Sequence, residues 1–148
     1  MTFVFREAQP EDIKAMQVVR HAVKENTLSN PSLVTDEDCK LYIQQRGKGW
    51  VCEVANKLVG FAIADLQDNN IWALFVLPEY EKMGIGKQLH KIMLDWYFAQ
   101  GKDKVWLSTW PGTKAETFYT KQGWTKTGTL KNGEVKVEIT AATWLQQH

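Results

Sequence analysis

The sequence contains few cysteines, little net charge and no long apolar run. Its two cysteines, Cys39 and Cys52, are not closely spaced, so we interpret both as reduced thiols and predict a cytoplasmic protein. The formal net charge of +1 excludes the strongly basic surface that attracts nucleic acids and anionic membranes. No apolar run approaches the roughly 20 residues of a membrane-spanning helix, and Arg6 and Glu7 interrupt the stretch where a signal peptide would be apolar. We therefore expect neither a nucleic acid nor a membrane as partner.

Motifs for metal binding and for nucleotide binding are also missing. The three histidines are scattered without metal-ligand spacing, and His90 is predicted to lie on the surface of a long helix. A Walker loop needs Ser or Thr after its Gly-Lys pair, but Gln88 follows Gly86 and Lys87. A dinucleotide fingerprint needs a third glycine at the position of Leu89. We therefore expect no metal and no ATP or NAD site.

The composition is that of an ordinary globular protein, with 44% hydrophobic and 24% charged residues in 148 positions. This length predicts one domain, spanning residues 1–148. Because a helical segment separates two apolar strand segments in the middle of the chain, those strands are predicted to be parallel neighbours. The periodicities predict strands over 3–6, 50–54, 58–66, 71–77, 105–110, 124–130 and 134–139, and helices over 10–25, 35–47, 85–99 and 115–121.

The most informative stretch is the one from residue 71 to residue 99, where a strand, a glycine loop and an amphipathic helix follow one another. Gly84 and Gly86 stand where the loop becomes the helix. The first turn of a helix has N–H groups without intrahelical partners, and glycines let a ligand approach them. Such a helix start binds phosphate or pyrophosphate, and Lys82 and Lys87 add positive charge nearby. The alternative interpretation is that the two glycines only form a tight turn.

Two motifs lie in the second half of the chain. The first is Leu77-Pro78-Glu79-Tyr80 followed by Gly84-Ile85-Gly86. The second is Ala115-x-x-Phe118-Tyr119-x-Lys121-x-Gly123-Trp124. Together they resemble the GNAT superfamily of acyl-CoA-dependent N-acyltransferases. The resemblance covers nearly the whole chain and extends to the order of the elements. It implies a single-domain α+β fold with a central, mostly antiparallel mixed sheet flanked by helices, in which the two central strands are parallel and splayed.

The resemblance also implies a role for particular residues. In the family, backbone N–H groups of the glycine loop bind the pyrophosphate of coenzyme A, and the preceding strand binds the pantetheine arm. The tyrosine of the later helix donates a proton to the departing thiolate, which assigns that role to Tyr119. The implied cofactor-binding residues are Leu74, Phe75, Val76, Lys82, Met83, Gly84, Ile85, Gly86, Lys87, Gly112, Phe118 and Lys121.

The sequence departs from the family pattern at two positions. Glu81 stands where the family usually has Gln or Arg, and we expect its side chain to point to solvent, away from a pyrophosphate. Gly112 stands where many members have an asparagine that contacts the pantetheine arm, so that contact is in question. These departures favour an alternative function, in which the chain is a catalytically inactive module that binds coenzyme A. The presence of Tyr119 favours the enzyme.

The implied reaction is the transfer of an acetyl group from acetyl-CoA to a primary amine without a covalent enzyme intermediate. It needs an N–H group aimed at the thioester oxygen, for which we choose that of Val76, a base for the amine and an acid for the thiolate. Tyr119 is the predicted acid, and its alternative role is that of a core aromatic beside Phe118. Glu25 is the preferred base. The other candidates are Glu53, Asp65, Asn70 acting through a water, and Glu79.

The acceptor amine is predicted only by class, as a small molecule or a peptide. Trp72 and Trp110 form an aromatic wall for an ammonium group in one interpretation and belong to the core in the other. The near-neutral charge argues against a strongly polycationic acceptor. Because members of the superfamily often dimerise, a homodimer is one expectation.

Overall fold

A computed structural model describes residues 1–23 and 34–148, and it contains one seven-stranded sheet with helices on both faces. The strands are β1 (Phe3–Glu7), β2 (Gly47–Val54), β3 (Lys57–Asp65), β4 (Asn70–Val76), β5 (Lys104–Thr109), β6 (Thr125–Thr129) and β7 (Val135–Thr140). The α-helices are α1 (Ile13–Ala22), α2 (Asp36–Leu41), α3 (Ile85–Ala99), α4 (Lys114–Lys121) and α5 (Ala141–Gln147). Short 3-10 turns span Pro10–Asp12 and Pro78–Tyr80, and one π-helical turn spans Tyr42–Arg46. None of these helices is long and apolar enough to cross a membrane.

The strand order is β1-β2-β3-β4-β5-β7-β6, and the parallel contact between β4 and β5 divides the sheet. All other neighbours are antiparallel. Strands β4 and β5 pair at one position, Asn70 with Trp106, and then separate. The structure therefore confirms the mixed α+β fold and its two parallel, splayed central strands.

An irregularity in β4 contributes to this separation. Ile63 of β3 pairs with Ala73, whereas the next residue, Ala64, pairs with Ile71, so Trp72 is an extra residue in β4. A β-bulge of this kind bends its strand and increases the local twist. The bend lies beside the point where β4 and β5 part.

The two faces of β3 show how the helices cover the sheet. On one face, α3 lies so close that a Cβ atom at Gly60 would be 3.3 Å from side-chain atoms of both Ile85 and Leu89. On the opposite face, Phe61 is 1% exposed and contacts Arg20 of α1. The glycine at position 60 thus permits the close approach of α3, which sets the position of the helix start that follows the glycine loop.

The second predicted helix is shorter than expected. Helix α2 ends at Leu41, a π-helical turn follows, and β2 begins at Gly47 rather than at Trp50. The turn is held by the Arg46 guanidinium, which donates hydrogen bonds to both carboxylate oxygens of Asp65, at 3.1 and 2.8 Å. A side chain at Gly47 would collide with the carbonyl oxygen of Ala64, so the close pairing there requires glycine. The expectation of a continuous helix to residue 47 was therefore wrong.

The C-terminal helix α5 was not predicted. Thr140 caps it by accepting a hydrogen bond from the N–H of Thr143 at 3.1 Å. Trp144 is 1% exposed, and its indole donates a hydrogen bond to Asp95 of α3 at 2.9 Å. The helix therefore closes the core at the end of the sheet, although Trp144 is its only buried residue.

The predicted surface position of His90 is also wrong. His90 is 0% exposed and lies on the buried face of α3. Its Nε2 atom accepts a hydrogen bond from the indole N–H of Trp124 at 2.9 Å. That bond satisfies one ring nitrogen, whereas Nδ1 is buried without a partner among the described residues, and aromatic rings surround the imidazole.

Candidate active site

A cleft with a volume of about 950 Å³ lies where β4 and β5 separate. Its walls come from Ile71–Val76 of β4 and Leu107–Thr109 of β5. The loop before α3 forms one end of the cleft. The start and the inner face of α4 form the remaining wall. The cleft therefore connects a helix N-terminus, two strand edges and a second helix, all of which the sheet topology brings together.

The glycine loop has the backbone conformation that an anion site needs. Lys82 and Gly84 adopt positive φ angles of 63° and 84°, and α3 begins directly after Gly84. A Cβ atom at Gly84 would meet nothing within 4 Å, so the glycine is needed for its backbone angle and leaves open space beside the helix start. The first-turn N–H groups of α3 and the macrodipole point positive charge into this space. Lys82 and Lys87 both line the cleft.

Glu81 is not directed simply to solvent. Its side chain is 34% exposed, and its Oε2 atom lies 3.3 Å from Nζ of Lys114 at the start of α4. This ion pair connects the glycine loop to α4 across the cleft. The expectation that the carboxylate turns away from the site was therefore only partly correct, because the lysine holds it at the cleft.

Helix α4 begins at a well-formed cap. The Thr113 hydroxyl accepts a hydrogen bond from the N–H of Glu116 at 3.2 Å, and the Glu116 carboxylate accepts one from the N–H of Gly112 at 2.9 Å. Gly112 has a φ of 78°, which an asparagine adopts less readily than glycine. The cap fixes the rotation of α4 so that both Phe118 and Tyr119 line the cleft.

Tyr119 presents a phenol that is buried and lies at the cleft. It is 7% exposed. Burial raises the pKa of the Tyr119 hydroxyl above its ordinary value, so the group carries its proton at neutral pH. Its ring packs edge-on against those of Phe118 and Trp124, each with a centroid separation of 5.2 Å. The side chain is therefore fixed in position, protonated and available as a donor.

Aromatic side chains form the wall at the part of the cleft near α1. Trp72 and Phe75 of β4 line it together with Val23, which follows α1. Trp72 stacks on Tyr42 with ring centroids 3.9 Å apart, and the guanidinium of Arg20 lies 5.0 Å from the Trp72 centroid. The cation that faces Trp72 therefore belongs to the protein itself, in contrast to the ammonium of the sequence-based interpretation.

A family model for the acetyltransferase (GNAT) family matches residues 15–124 of the chain. The chain belongs to this family. No relative was found among curated protein sequences.

Solved GNAT structures from several organisms share the fold at low sequence identity. PaiA N-acetyltransferase from Thermoplasma acidophilum, solved with coenzyme A, is 17% identical, with a TM-score of 0.81 and coverage of 95% of this chain and 99% of that one. The ribosomal-protein-S18-alanine N-acetyltransferase of Escherichia coli is 14% identical, with a TM-score of 0.76 and 94% of each chain covered. The spermidine/spermine N-acetyltransferase SpeG from Vibrio cholerae is 16% identical, with a TM-score of 0.73 and coverage of 98% and 97%. The names of the last two proteins give different acceptors, so the GNAT fold alone does not identify the acceptor here.

The structure brings together nearly all the residues that the GNAT resemblance assigned to the cofactor. Met83 does not line the cleft and is 44% exposed. The assigned residues that do line it are Leu74, Phe75, Val76, Lys82, Gly84, Ile85, Gly86, Lys87, Gly112, Phe118 and Lys121. Their individual contacts with coenzyme A stay predictions.

The predicted bases are not brought together in the same way. Glu25 lies outside the described residues. Glu53 and Asp65 are held by arginine side chains at 2.7 and 2.8 Å, and neither lines the cleft. Glu79 is exposed. Asn70 lies where β4 and β5 still pair, and it does not line the cleft. Its Oδ1 atom is buried without a hydrogen-bond partner among the described residues.

Glu134 was missed by the sequence analysis and lines the cleft. It follows the turn between β6 and β7, where its Oε1 accepts a hydrogen bond from the side chain of Asn132 at 2.7 Å. A Cβ atom at the adjacent Gly133 would lie 3.4 Å from the ring of Trp110, so the turn reaches the aromatic side chain at the end of β5. The Asn-Gly turn signal predicted the hairpin, but no sequence signal placed its far strand beside this cleft.

The part of the chain that the structure describes holds no group of three or more His, Cys, Asp or Glu side chains that could bind a metal ion.

Proposed function

We propose that residues 1–148 act as one acetyl-CoA-dependent N-acetyltransferase domain that transfers the acetyl group directly to a primary amine. The observation that carries the proposal is the continuous cleft that joins the glycine loop at the start of α3 to the phenol of Tyr119. An anion-binding helix start and a protonated acid in one cleft match the two ends of the thioester donor. We further propose a cytoplasmic location, from the reduced cysteines.

The donor fits the cleft in the following orientation. Backbone N–H groups of residues 82–87 bind its pyrophosphate, with Lys82 and Lys87 adding charge. Strand β4 binds the arm through the backbone of Leu74, Phe75 and Val76, because β5 pairs with β4 only at Asn70. Gly112, Phe118 and Lys121 complete the wall on the side of α4.

Transfer proceeds by attack of the neutral amine on the thioester carbonyl. A C–N bond forms, negative charge develops on the carbonyl oxygen, and the N–H of Val76 stabilises that charge. The C–S bond then breaks, and the thiolate takes the proton of Tyr119 while the amine loses one proton to a base. A proton from the base or from solvent then restores the phenol of Tyr119. Because the amine attacks the thioester directly, no covalent enzyme intermediate is needed.

Two carboxylates are proposed for the base. Glu25 stays a prediction from the sequence, and Glu134 is supported by its position in the cleft beside Trp110. Single Glu→Gln variants at the two positions distinguish the candidates. The variant that lacks the base should lose turnover at neutral pH and regain part of it at higher pH, where more of the amine is neutral. The other variant retains the activity of the unmodified protein.

The central test is the Tyr119→Phe variant, which keeps the ring and removes the proton. We expect turnover of acetyl-CoA, measured as free thiol released with a panel of primary amines, to fall by about 10²–10⁴-fold. The affinity for coenzyme A, measured by calorimetry, should stay unchanged because the glycine loop is intact. Unchanged turnover would remove the acid role, and the absence of coenzyme A binding to either protein would contradict the proposed function as a whole.

The ion pair between Glu81 and Lys114 favours a second candidate, an inactive module that binds coenzyme A. A carboxylate at the cleft opposes a pyrophosphate, and the lysine that neutralises it ties α4 to the glycine loop. The calorimetry and thiol-release measurements also distinguish the two candidate functions, because an inactive module binds coenzyme A and releases no thiol with any amine. Formation of a homodimer is a further expectation that mass measurement in solution tests.

A further inference from the structure

Trp110 is a large aromatic side chain that is accessible at the cleft. It follows β5 directly, is 42% exposed and lines the cleft. The Thr113 hydroxyl donates a hydrogen bond to its carbonyl oxygen at 2.8 Å, so the cap of α4 fixes the backbone that carries the ring. A Cβ atom at Gly133 would lie 3.4 Å from the ring, and glycine therefore leaves that part of the ring uncovered. The indole is thus held in place with room for a ligand.

Glu134 is the neighbour of Trp110 across the sheet. Thr109 pairs with Val135 where β5 contacts β7, and Trp110 and Glu134 are the next residues outward on the two strands. Residues opposite each other on paired strands project their side chains to the same face, and both of these residues line the cleft. The Asn132 side chain donates to Oε1 of Glu134 at 2.7 Å and accepts from its N–H at 3.0 Å. The turn therefore holds the carboxylate at the cleft.

An aromatic ring beside a carboxylate has the chemistry of a cation site. The face of a tryptophan ring attracts a cation, and a carboxylate supplies the opposite charge and accepts N–H donors. Trp72, the other tryptophan considered for an ammonium group, already faces the guanidinium of Arg20 at 5.0 Å. Trp110 and Glu134 are therefore the pair that a cation in the cleft would contact.

The cleft has charges of both signs on different elements. Lys82 and Lys87 line it at the glycine loop and the start of α3, and Glu134 lines it directly before β7. Glu81 also lines it, but its carboxylate pairs with Lys114 at 3.3 Å. Under the proposed function the pyrophosphate of the donor takes the lysines of the glycine loop. A cationic acceptor then binds at Glu134 without competing for them.

We propose that Trp110 and Glu134 bind the amine end of the acceptor as an ammonium ion, so that the substrate is an amine without a carboxylate beside its nitrogen. The inference rests on the proposed acetyltransferase function and specifies its acceptor. Glu134 repels a carboxylate on the carbon next to the amine, which disfavours free α-amino acids and favours alkylamines and lysine side chains. Before attack, the bound ammonium releases one proton to solvent, which leaves the neutral amine of the proposed reaction.

Binding of simple ligands tests the proposal without any transfer step. The probes are 2-phenylethylammonium and 2-phenylethanol, in which a hydroxyl replaces the ammonium. They are titrated by calorimetry into the protein with and without coenzyme A, which has no acetyl group to transfer. We expect the ammonium to bind at least about tenfold more tightly than the alcohol. Equal binding of the two probes to the unmodified protein would overturn the proposal.

Variants at the two positions should reduce this preference. Glu134→Gln keeps an oxygen that accepts from Asn132 and removes the charge, and Trp110→Leu removes the aromatic face from an exposed position. We expect each to reduce the preference at least about threefold and Trp110→Phe to retain most of it. An undiminished preference in either Glu134→Gln or Trp110→Leu contradicts the proposal. Thermal unfolding shows whether each variant is folded, and if Trp110→Leu is not, Glu134→Gln decides.

Asp103→Asn is the matched control for charge. Asp103 is exposed and lies directly before β5, at the end of that strand opposite to Trp110, and it does not line the cleft. The variant loses one negative charge, as Glu134→Gln does, and should keep the preference for the ammonium. A loss as large as that of Glu134→Gln would assign the preference to net charge rather than to the site, which overturns the proposal.

Acetylation rates extend the test to real acceptors. 2-Phenylethylamine and phenylalanine are amines of comparable basicity that differ by a carboxylate beside the nitrogen, and Nα-acetyl-lysinamide represents a lysine side chain. A higher kcat/KM for the two amines without that carboxylate, with a smaller ratio in Glu134→Gln, supports the proposal. Because loss of binding raises KM, the candidate bases are compared by kcat at saturating amine.

The outcomes keep the inference and the proposed function apart. Transfer to phenylalanine that is as fast as transfer to 2-phenylethylamine overturns the inference and leaves the acetyltransferase function intact. Selective binding of the ammonium through Glu134, without transfer to any amine, supports the cation site and contradicts the enzyme function.

Discussion

His90 shows how one side chain supports the geometry of the candidate acid. Its ring is surrounded by those of Phe118, Tyr119, Trp124 and Trp144, with centroid separations of 5.2–6.2 Å. Because Nε2 accepts the indole N–H of Trp124, the proton of the neutral ring is on Nδ1. Burial lowers the pKa of His90 to about 3, and the nearby His148 adds to the shift. His90 therefore stays neutral in the core behind Tyr119.

The depressed pKa makes folding stability depend on pH. An unfolded histidine has a pKa of about 6.5, so between that value and about 3 the unfolded state binds more protons than the folded state. The contribution of His90 is thus fully present above pH 6.5 and is lost as the pH falls toward 3. We expect His90→Gln, whose amide oxygen can still accept from Trp124, to remove about 2–3 kcal/mol of the stability difference between pH 7 and pH 4.5.

Urea unfolding of both proteins at the two pH values measures this difference. His21→Gln, at an exposed position of α1, is the control and should follow the unmodified protein. Parallel pH profiles for His90→Gln and the unmodified protein would contradict the assigned cause.

Among the elements, α5 contributes more to stability than its seven residues indicate. Trp144 fills the core beside His90 and binds Asp95 of α3. We expect Trp144→Ala to lower the free energy of unfolding by about 3–5 kcal/mol, since it leaves a cavity and removes the hydrogen bond that the indole donates to Asp95. Leu145→Ala, at a residue that is 69% exposed, should change it by less than about 0.5 kcal/mol. Urea denaturation measures both, and equal effects would show that α5 does not close the core.

The elements also show what could be predicted from the sequence. Strands and the long helix have periodic apolar residues, and the hairpin between β6 and β7 has its Asn-Gly signal, so their types were predicted correctly. Helix α5 has one buried residue and therefore no periodic stripe. The buried face of α3 includes His90, Leu94 and Tyr97, which the apolar pattern alone did not select. Packing against distant parts of the chain determines which residues of α3 are buried.

The two sides of the candidate site also differ in how far the sequence predicts them. The side of the cleft that we propose for the cofactor follows local motifs, the glycine loop and the segment around Tyr119, so a family resemblance predicts it. The other side, which the proposed function gives to the acceptor, is lined by Val23 after α1, by β4 and by the β6–β7 turn, which are distant in the chain. Glu134 therefore gave no sequence signal, because its significance depends on which neighbours the fold supplies.

At the scale of the whole molecule, a ligand that joins the two halves of the sheet should raise the stability of both. A ligand at 100 times its dissociation constant stabilises the folded state by about 2.7 kcal/mol. For a chain of this size we expect coenzyme A at that concentration to raise the melting temperature by about 5–10 °C. Adenosine, which lacks the pyrophosphate and the arm, should raise it by much less. A melting temperature that coenzyme A leaves unchanged would contradict binding to the folded protein.

The single pairing position between β4 and β5 has one more consequence. Each of these strands has a row of backbone donors and acceptors without a neighbouring strand, so the sheet has two edges in its interior as well as two at its margins. At a margin, such an edge attracts the strands of other molecules. Here the edges face each other across the cleft, where a ligand with amide groups of its own could pair with them. Under the proposed function, capture of the donor is a form of strand addition, in which the arm of a small molecule pairs with an edge that no strand occupies.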